Sequence, residues 1–274
     1  MNVQNCEGLH FLSEKVKDNS VDLILTDPPY IISHETGMEK YKNAIEEASG
    51  ANIKTEQEWL EFKKIKKYKD DTHKNNYIKF GSIYGKKYCV TTNYGDWDKE
   101  FSMEELEYFV KEYYQKLKQG GTLIIWFDIW KLSTLKELLE KHKFKQIRFI
   151  EWIKTNPQPL NSNVNYLTNC REIALLGIKG SKPTFNSKMD KGIYEFPMAA
   201  GWYKFHPTQK NLELFKTIIE KHSNEGDTVL DTFLGGGTTA YACKETKRNF
   251  IGCEINPEFF NNITQNLNKY QKKI

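Results

Sequence analysis

A carboxylate, two prolines and a tyrosine stand together in Asp27-Pro28-Pro29-Tyr30, directly after the apolar run Val21–Thr26. Neither proline can donate to a β-ladder, so the pair ends the strand that the apolar run predicts. A carboxylate oxygen of Asp27 and the Pro28 carbonyl can accept both N–H bonds of one amine. Such acceptors favour a more tetrahedral nitrogen, which makes a delocalised aromatic amine a better nucleophile. The Tyr30 ring offers a face on which a base stacks; a plain Pro-Pro turn is the alternative interpretation.

A second candidate site lies near the other end of the chain, at residues 231–239, whose sequence is DTFLGGGTT. A short apolar strand ends at Asp231, turns through three glycines and enters a helix. Glycines allow a ligand to approach the backbone closely, and the start of a helix offers free N–H groups. Glu254 ends the next strand, nineteen residues after Gly235, which is the usual position of a carboxylate that binds ribose hydroxyls.

The glycine loop is compatible with more than one ligand. The pattern Gly235-x-Gly237-x-x-Ala240 fits dinucleotide binding, so a nicotinamide cofactor is one interpretation, and a tight turn without a ligand is another. Asp231 beside the turn would repel a pyrophosphate. The same carboxylate suits a cationic ligand, such as the ammonium or sulfonium group of S-adenosylmethionine.

A third group of polar residues, FHPTQK at 205–210, precedes the helix that leads to the strand of the glycine loop. By itself it is compatible with an ordinary helix entry and a solvated lysine. Its position in the chain, between the two groups above and next to the second, makes it a candidate part of the same site.

Strands and helices alternate around these groups. Ser102 and Glu105 form a capping box that opens a helix to about residue 118, and Gly120-Gly121 is expected to end it. Further strands are predicted at 122–127, 147–153, 171–178, 228–231 and 250–254, and further helices at 131–142, 211–222, from 238 and from 257. Residues 155–170 and 180–206 are expected to be irregular. The alternation predicts an α/β fold with a mostly parallel, doubly wound sheet that binds ligands at the carboxyl ends of its strands.

The composition excludes several classes of protein. Of the 274 residues, 39% are hydrophobic and 28% are charged, which allows a buried core. The longest apolar runs, such as 123–127, are far shorter than the ~20 residues of a membrane span. The five cysteines show no C-x-x-C spacing, and the six histidines form no ligand cluster, so no metal site is predicted. We therefore expect a cytoplasmic protein with reduced thiols.

Together, the three groups resemble the amino-group DNA methyltransferases of the permuted β class. In that family the D-P-P-Y motif comes first in the chain and the H-P-T-Q-K-P and D-x-F-x-G-x-G-T motifs come last, which is the order found here. Residues 20–30, SVDLILTDPPY, match the family's catalytic segment almost letter for letter. Two positions depart from the family. Asn211 replaces the final proline of the second motif, which is expected to weaken pre-organisation of the following helix without removing a functional group. Asn5-Cys6-Glu7 stands where G-D is frequent.

The resemblance implies a Rossmann-like S-adenosylmethionine-dependent methyltransferase fold with a circularly permuted motif order. The implied reaction moves a methyl group from S-adenosyl-L-methionine to the exocyclic N6 amine of adenine in DNA, by base flipping and direct in-line transfer. Cytosine N4 is the first alternative, and an RNA or protein-glutamine methyltransferase, disfavoured by motif order, is the second. A dinucleotide-dependent oxidoreductase, the third, would leave residues 27–30 without a role.

The family's site residues carry over to this chain as follows. The implied catalytic residues are Asp27, Pro28, Pro29 and Tyr30. The implied cofactor-binding residues are His206, Thr208, Gln209, Lys210, Asp231, Phe233, Gly235, Gly237, Thr238, Thr239 and Glu254.

The resemblance covers nearly the whole chain outside residues 31–100 and 160–204. We expect 1–274 to form one catalytic domain, with 31–100 as an inserted basic and aromatic segment that faces DNA. Residues 158–204, with a net charge of +3, are the expected target-recognition region, and their side chains able to read adenine or to form turns include Asn161, Asn163, Asn165 and Asn169. The expected partners are double-stranded DNA, with single strands as the alternative, and a cognate restriction endonuclease. The protein is expected to be a monomer or homodimer associated with the nucleoid of a bacterium, or encoded by a phage.

Lysines are concentrated in residues 61–90, which contain nine lysines and three acidic residues. The net charge of this segment is therefore +6, whereas that of the whole chain is +4. Aromatic residues alternate with these lysines at Tyr68, Tyr77, Phe80, Tyr84 and Tyr88. Lysines meet phosphates and aromatic rings stack on bases, so the run is interpreted as a clamp on nucleic acid without sequence preference. A solvated surface helix is the alternative.

Replacing Lys63, Lys64, Lys66 and Lys67 by alanine is expected to weaken binding to cognate and non-cognate duplexes alike. For each phosphate that the protein no longer neutralises, the dependence of log affinity on log salt should flatten by roughly 0.9. Binding titrations at several salt concentrations measure this slope, and an unchanged slope would identify the run as a solvated face. The methylated sequence should not change. A changed sequence would move target recognition into this segment.

Overall fold

A computed structural model describes residues 1–29, 54–66, 70–80, 101–157, 169–205 and 208–271. The chain forms two compact units, each with most of its contacts within itself. One consists of Met1–Ile31 with Glu100–Ile274, and the other of Ile32–Lys99. The larger unit contains the sheet that the sequence predicts.

Within the described residues, eight strands form this sheet. They are β1 (Asn2–Gln4), β2 (Val21–Thr26), β3 (Leu117–Phe127), β4 (Phe144–Lys154), β5 (Arg171–Lys179), β6 (Ile193–Phe196), β7 (Thr228–Asp231) and β8 (Asn249–Cys253). Their order across the sheet is β1-β8-β7-β2-β3-β5-β4-β6. Only β5 is antiparallel to its neighbours among the described pairings. The predicted α/β class with a mostly parallel sheet is confirmed.

The helices of the larger unit are α1 (Gly8–Lys15), α4 (Met103–Lys116), α5 (Leu132–Lys141), α6 (Leu212–His222), α7 (Thr238–Glu245) and α8 (Pro257–Gln271), with a short 3-10 helix at Ile129–Lys131. The smaller unit contributes α2 (Glu56–Lys66) and α3 (Lys74–Phe80). None of the helices in the described ranges is both long enough and apolar enough to cross a membrane.

Apolar side chains cover both faces of the sheet, because successive residues of a strand point to opposite faces. On β2, Leu23 and Leu25 pack into a cluster with residues of α6, α7 and α8. Ile24 packs on the other face, with residues of α1, α4 and α5. All three side chains are fully buried. A strand that is packed on both faces provides a fixed support for the residues that follow it.

The central strand β2 lies between β3 and β7 and is parallel to both. Leu23 is paired with Val229 and Ile24 with Leu230, so the carboxyl ends of β2 and β7 meet at one edge of the sheet. Two of the groups identified in the sequence follow these strands. The fold therefore brings residues 27–29 next to the glycine loop, although about two hundred residues separate them in the chain.

Three details of the predicted elements were wrong or missing. Helix α4 ends at Lys116, and β3 begins at once with Leu117 and runs through the glycines that were expected to stop the helix. The reason is pairing with β2, since Leu117 is the register partner of Val21. Strand β6 lies in the stretch predicted to be irregular, and β1 and α1 were not predicted. β1 and β6 have only three and four residues, too few to show a period.

The smaller unit packs around Trp59, which is buried. The Tyr77 ring lies 4.4 Å from the ring of Phe62 and 5.5 Å from that of Trp59, measured between centroids. Asp71 accepts a hydrogen bond from the Trp59 indole at 2.9 Å and forms an ion pair with Lys63 at 2.8 Å. Tyr77 and Lys63 are therefore engaged within this unit. Its role in binding DNA stays a prediction, and Lys67, Tyr68, Tyr84 and Tyr88 lie outside the described residues.

Asn211, which was expected to weaken the helix that follows, is the N-cap of α6. Its Oδ1 accepts a hydrogen bond from the Leu214 N–H at 3.0 Å, and its amide donates to the Pro197 carbonyl at 3.0 Å. Asparagine satisfies one of the free N–H groups of a first helical turn, which a proline cannot do, so the residue that replaces the family's proline supports the start of this helix.

Replacing Asn211 by alanine is expected to lower the free energy of unfolding by about 0.5–2 kcal/mol, the range for loss of an N-cap. Denaturant titration of both proteins measures the difference. Serine at this position keeps an acceptor for the Leu214 N–H and should recover most of the loss. Equal midpoints for the alanine variant and the parent protein would contradict this role of the side chain.

Candidate active site

Asp27 lies just beyond β2, and its two carboxylate oxygens have different surroundings. Oδ2 accepts a hydrogen bond from the Lys210 ammonium at 2.5 Å. Oδ1 is buried, and no donor among the described residues reaches it. Burial raises the pKa of Asp27 to about 6, although the neighbouring Lys210 opposes this shift. Oδ2 is therefore occupied by Lys210, whereas Oδ1 can accept a hydrogen bond for which the described residues supply no donor.

Lys210 lies between two carboxylates. Its Nζ is 2.5 Å from Asp27 and 2.9 Å from the Oε2 of Glu172, and Glu172 in turn pairs with Lys154 at 2.7 Å. Glu172 belongs to β5 and Lys154 ends β4, so these two adjacent strands supply one anion and one cation to the group formed with Asp27 and Lys210. Burial opposes ionisation of Glu172, but Lys210 and Lys154 outweigh it and hold the pKa of this carboxyl below its usual value. Lys210 is only 5% exposed.

The carboxylate of Asp231 joins three parts of the larger unit. Oδ1 accepts hydrogen bonds from the Thr26 hydroxyl at 2.8 Å and from the Phe233 N–H at 3.0 Å, and Oδ2 accepts one from the Thr239 hydroxyl at 2.6 Å. Burial raises the pKa of this carboxyl, and the three donors lower it. These bonds connect the ends of β2 and β7 with the start of α7. Direct binding of a cofactor by Asp231 stays a prediction.

The glycine loop has the backbone that the sequence suggested. Gly235 and Gly237 have φ values of +50° and +82°, a region that side chains disfavour. A Cβ on Gly236 would lie 2.3 Å from the amide carbon of Gln209. That amide donates to the carbonyls of Gly236 and Tyr203, at 3.0 and 2.8 Å, and accepts from the Phe205 N–H at 3.1 Å. Gln209 therefore holds the loop in shape through contacts that its predicted role in cofactor binding did not include.

Glu254 follows β8 directly and faces the same loop. Its Oε2 accepts a hydrogen bond from the Gly235 N–H at 2.6 Å, and Oε1 accepts one from the Asn256 N–H at 2.8 Å. The residue is 7% exposed, and burial raises its pKa to about 7. Each oxygen can accept a second bond. A buried carboxylate beside a glycine turn is suited to a ligand that brings hydroxyl donors.

The remaining predicted residues are placed as follows. The Thr238 hydroxyl donates to the Lys210 carbonyl at 3.3 Å, and Phe233 packs against Phe101 and Phe109. Thr208 is exposed. Pro28 and Pro29 follow Asp27 at the sheet edge, whereas Tyr30, His206 and Pro207 lie outside the described residues. No group of three metal-binding side chains occurs in the part of the chain that the structure describes.

Glu7, at one of the two positions that depart from the family, has its carboxylate engaged locally. It caps α1, with hydrogen bonds from the N–H groups of Leu9 and His10 at 2.7 and 2.8 Å. The neighbouring Asn5 amide donates to the Glu254 carbonyl at 2.7 Å. Position 5 therefore helps to fix the backbone of the candidate cofactor site.

Glu172 was not identified as a site residue from the sequence. It belonged to a predicted strand and to the expected target-recognition region 158–204, and its contact with Lys210 depends on how β5 lies in the sheet. Lys154 follows the strand predicted at 147–153, and its pairing with Glu172 was not anticipated either.

Several solved structures of known or putative DNA methyltransferases have a similar fold. The M1.HpyAVI–SAM complex superimposes with a TM-score of 0.61 at 22% identity, covering 97% of this chain and 98% of that one. The cytosine-N4-specific PvuII DNA methyltransferase gives 0.63 at 15% identity, covering 96% and 84%. The putative DNA modification methylase TTHA0409 of Thermus thermophilus gives 0.57 at 17% identity, covering 98% and 94%. The fold is therefore that of the S-adenosylmethionine-dependent DNA methyltransferases.

The sequence identifies the family within this fold. Residues 21–266 match the family model described as DNA methylase, the N6_N4_Mtase family, and the chain belongs to that family. It is 30% identical to the type II methyltransferase M2.MboI of Moraxella bovis, covering 98% of this chain and 90% of its relative. It is 29% identical to M2.DpnII of Streptococcus pneumoniae, covering 91% and 82%. The resemblance stated from the motifs is confirmed, and a dinucleotide-dependent oxidoreductase is excluded.

Proposed function

We propose that Asp27, with the Pro28 carbonyl, binds the exocyclic amine of a flipped adenine and that this site methylates N6 of that base at a specific DNA sequence. S-adenosyl-L-methionine is the methyl donor. The observation that carries the assignment is the buried Oδ1 of Asp27, which no donor among the described residues reaches, at the edge where β2 meets the glycine loop. An unpaired buried acceptor is costly, and the amine of a bound base would satisfy it.

The residues around the glycine loop fit S-adenosyl-L-methionine. The Glu254 carboxylate has acceptor capacity for ribose hydroxyls, and Gly235 has no heavy atom within 4 Å of the position of a Cβ. That open space allows a ligand to lie against the backbone. When bound, S-adenosyl-L-methionine supplies the electrophilic methyl group that the base receives. The further proposed ligands are His206, Thr208, Gln209, Lys210, Asp231, Phe233, Gly237, Thr238 and Thr239.

The chain acts on the base mainly by positioning and electrostatics. Asp27 Oδ1 and the Pro28 carbonyl each accept one N–H of the amine, which favours a more tetrahedral nitrogen whose lone pair is less delocalised into the ring and is available to attack the methyl group. Pro28 and Pro29 restrict the backbone, so the carbonyl direction is fixed before the base arrives. Stacking of the base on Tyr30 completes this proposal. Flipping the base out of the duplex is required, because the amine is otherwise inside the helix.

Adenine N6 is favoured over cytosine N4 because the catalytic motif begins with aspartate, whereas serine is more frequent in the N4 enzymes. The curated relatives M2.MboI and M2.DpnII are type II methyltransferases, which supports a role in a restriction-modification system. A cognate endonuclease, a preference for double-stranded DNA, recognition by residues 158–204 and a cytoplasmic, nucleoid-associated location are part of the proposal.

Replacing Asp27 by alanine is expected to abolish methyl transfer while leaving cofactor affinity largely unchanged, because the lost acceptor acts on the base. Methylome sequencing of cells that express the wild-type protein should find N6-methyladenine at one recurring sequence, and cells with the variant should show none.

Calorimetric titration with S-adenosyl-L-methionine serves as the control that the variant is folded. Methylation by the folded alanine variant would refute the role of Asp27, and N4-methylcytosine in wild-type cells would refute the assignment of the base.

Replacing Glu254 by alanine is expected to weaken binding of S-adenosyl-L-methionine by roughly 1.5–3 kcal/mol, the range for hydrogen bonds to a charged group. Isothermal titration calorimetry measures the change in Kd. Glu258, in the exposed first turn of α8, offers a matched control, since Glu258→Ala removes the same charge four residues away without touching the glycine loop. Equal affinities of the Glu254 and Glu258 variants, or tight NAD binding by the wild type, would overturn the cofactor assignment.

A further inference from the structure

Asp27, Lys210, Glu172 and Lys154 form a row of four charged groups that alternate in sign. Lys210 contacts Asp27 and Glu172, and Glu172 contacts Lys154, with nitrogen–oxygen distances between 2.5 and 2.9 Å. The four side chains come from different parts of the fold: the end of β2, the segment before α6, β5 and the end of β4. In the reaction proposed above, Asp27 is the one member of this row that contacts the base amine.

We propose that Lys210 and Glu172 are positioning residues for methyl transfer, which act through Asp27. Lys210 holds the Asp27 carboxylate ionised with Oδ1 directed to the base amine, and Glu172 fixes the Lys210 ammonium in place while its own charge acts against ionisation of Asp27. This inference rests on the proposed function of Asp27. It gives Lys210 a role besides the cofactor contact that the family motif implies, and it gives Glu172 a role in the reaction.

The geometry explains why the charge of Asp27 matters at one particular oxygen. Lys210 occupies Oδ2, so a proton bound by this carboxyl would reside on Oδ1. A protonated Oδ1 is a donor, and it would meet the N–H of the amine with a hydrogen instead of a lone pair. The site therefore works only when Asp27 is ionised. Burial favours the neutral form and raises the pKa of this carboxyl to about 6.

The charged groups that face Asp27 act in opposite directions. Lys210 favours the ionised carboxylate, whereas Glu172 and the buried Asp231 disfavour it. Lys154 contributes through its ion pair with Glu172. Glu172 also fixes the position of the Lys210 ammonium, because a lysine held between two carboxylates has fewer accessible rotamers than one held by a single partner. The Lys210 ammonium further lies 5.9 Å from the centre of the Trp126 ring, which restricts it from another side.

The test measures the pH dependence of single-turnover methylation by the full chain with its DNA and S-adenosyl-L-methionine, which separates chemistry from product release. Removing the cation in Lys210→Met should raise the pKa of Asp27, so the acid limb of the profile should move to higher pH by about 1–3 units, the effect of an opposite charge close to a carboxylate. In Glu172→Gln it should move down, because a like charge is removed. Lys210→Arg keeps the cation and should restore most of the wild-type profile.

The opposite directions distinguish this role from a merely structural one, which would lower the rate without moving the limb in either variant. Lys221→Met is a matched control, since Lys221 pairs with Asp190 at the same 2.5 Å distance in another part of the larger unit, and its profile should match the wild type. Should Lys210→Met not fold, Glu172→Gln decides by itself.

Unmoved limbs in folded Lys210 and Glu172 variants would overturn the inference while the proposed function stands. A wild-type protein that methylates no adenine would instead overturn the proposed function.

Discussion

The hydrogen bonds of one buried carboxylate, that of Asp231, hold the candidate site together. A buried charge without partners is strongly unfavourable, and here three donors compensate it: the hydroxyls of Thr26 and Thr239 and the N–H of Phe233. Because these donors belong to β2, the glycine loop and α7, the carboxylate fixes the catalytic strand relative to the cofactor loop. The short distance between the amine-binding and cofactor-binding groups depends on this connection.

Several residues predicted as ligands are also used to build the site. Gln209 connects the glycine loop to the segment before α6, with one hydrogen bond to Gly236 and two to Tyr203 and Phe205. Glu254 accepts one N–H bond from Gly235 of the glycine loop and one from Asn256 of its own turn. Such contacts place the groups before any ligand arrives, which lowers the entropy lost when a ligand binds. One set of side chains thus serves both to shape the loop and to receive the cofactor.

Much of the fold and the site could be predicted from the sequence, and the exceptions have physical causes. The strand at 228–231, the cap at Ser102 and the turn at 235–237 follow from local patterns, and the structure has them. The start of β3 at Leu117 was not predictable, because it depends on pairing with β2. The contact of Glu172 with Lys210 depends on the position of β5 between β3 and β4, which no local pattern in the sequence encodes.

The order of the strands in the chain has a consequence for synthesis on the ribosome. Leu23 and Leu25 of β2 are covered by α6, α7 and α8, which come from the C-terminal quarter of the chain. Strand β7, which pairs with one edge of β2, also comes from that quarter. A nascent chain that lacks this quarter therefore exposes both an unpaired edge of β2 and an apolar face of the sheet. Both features promote aggregation. Prematurely terminated copies of this protein are therefore expected to aggregate.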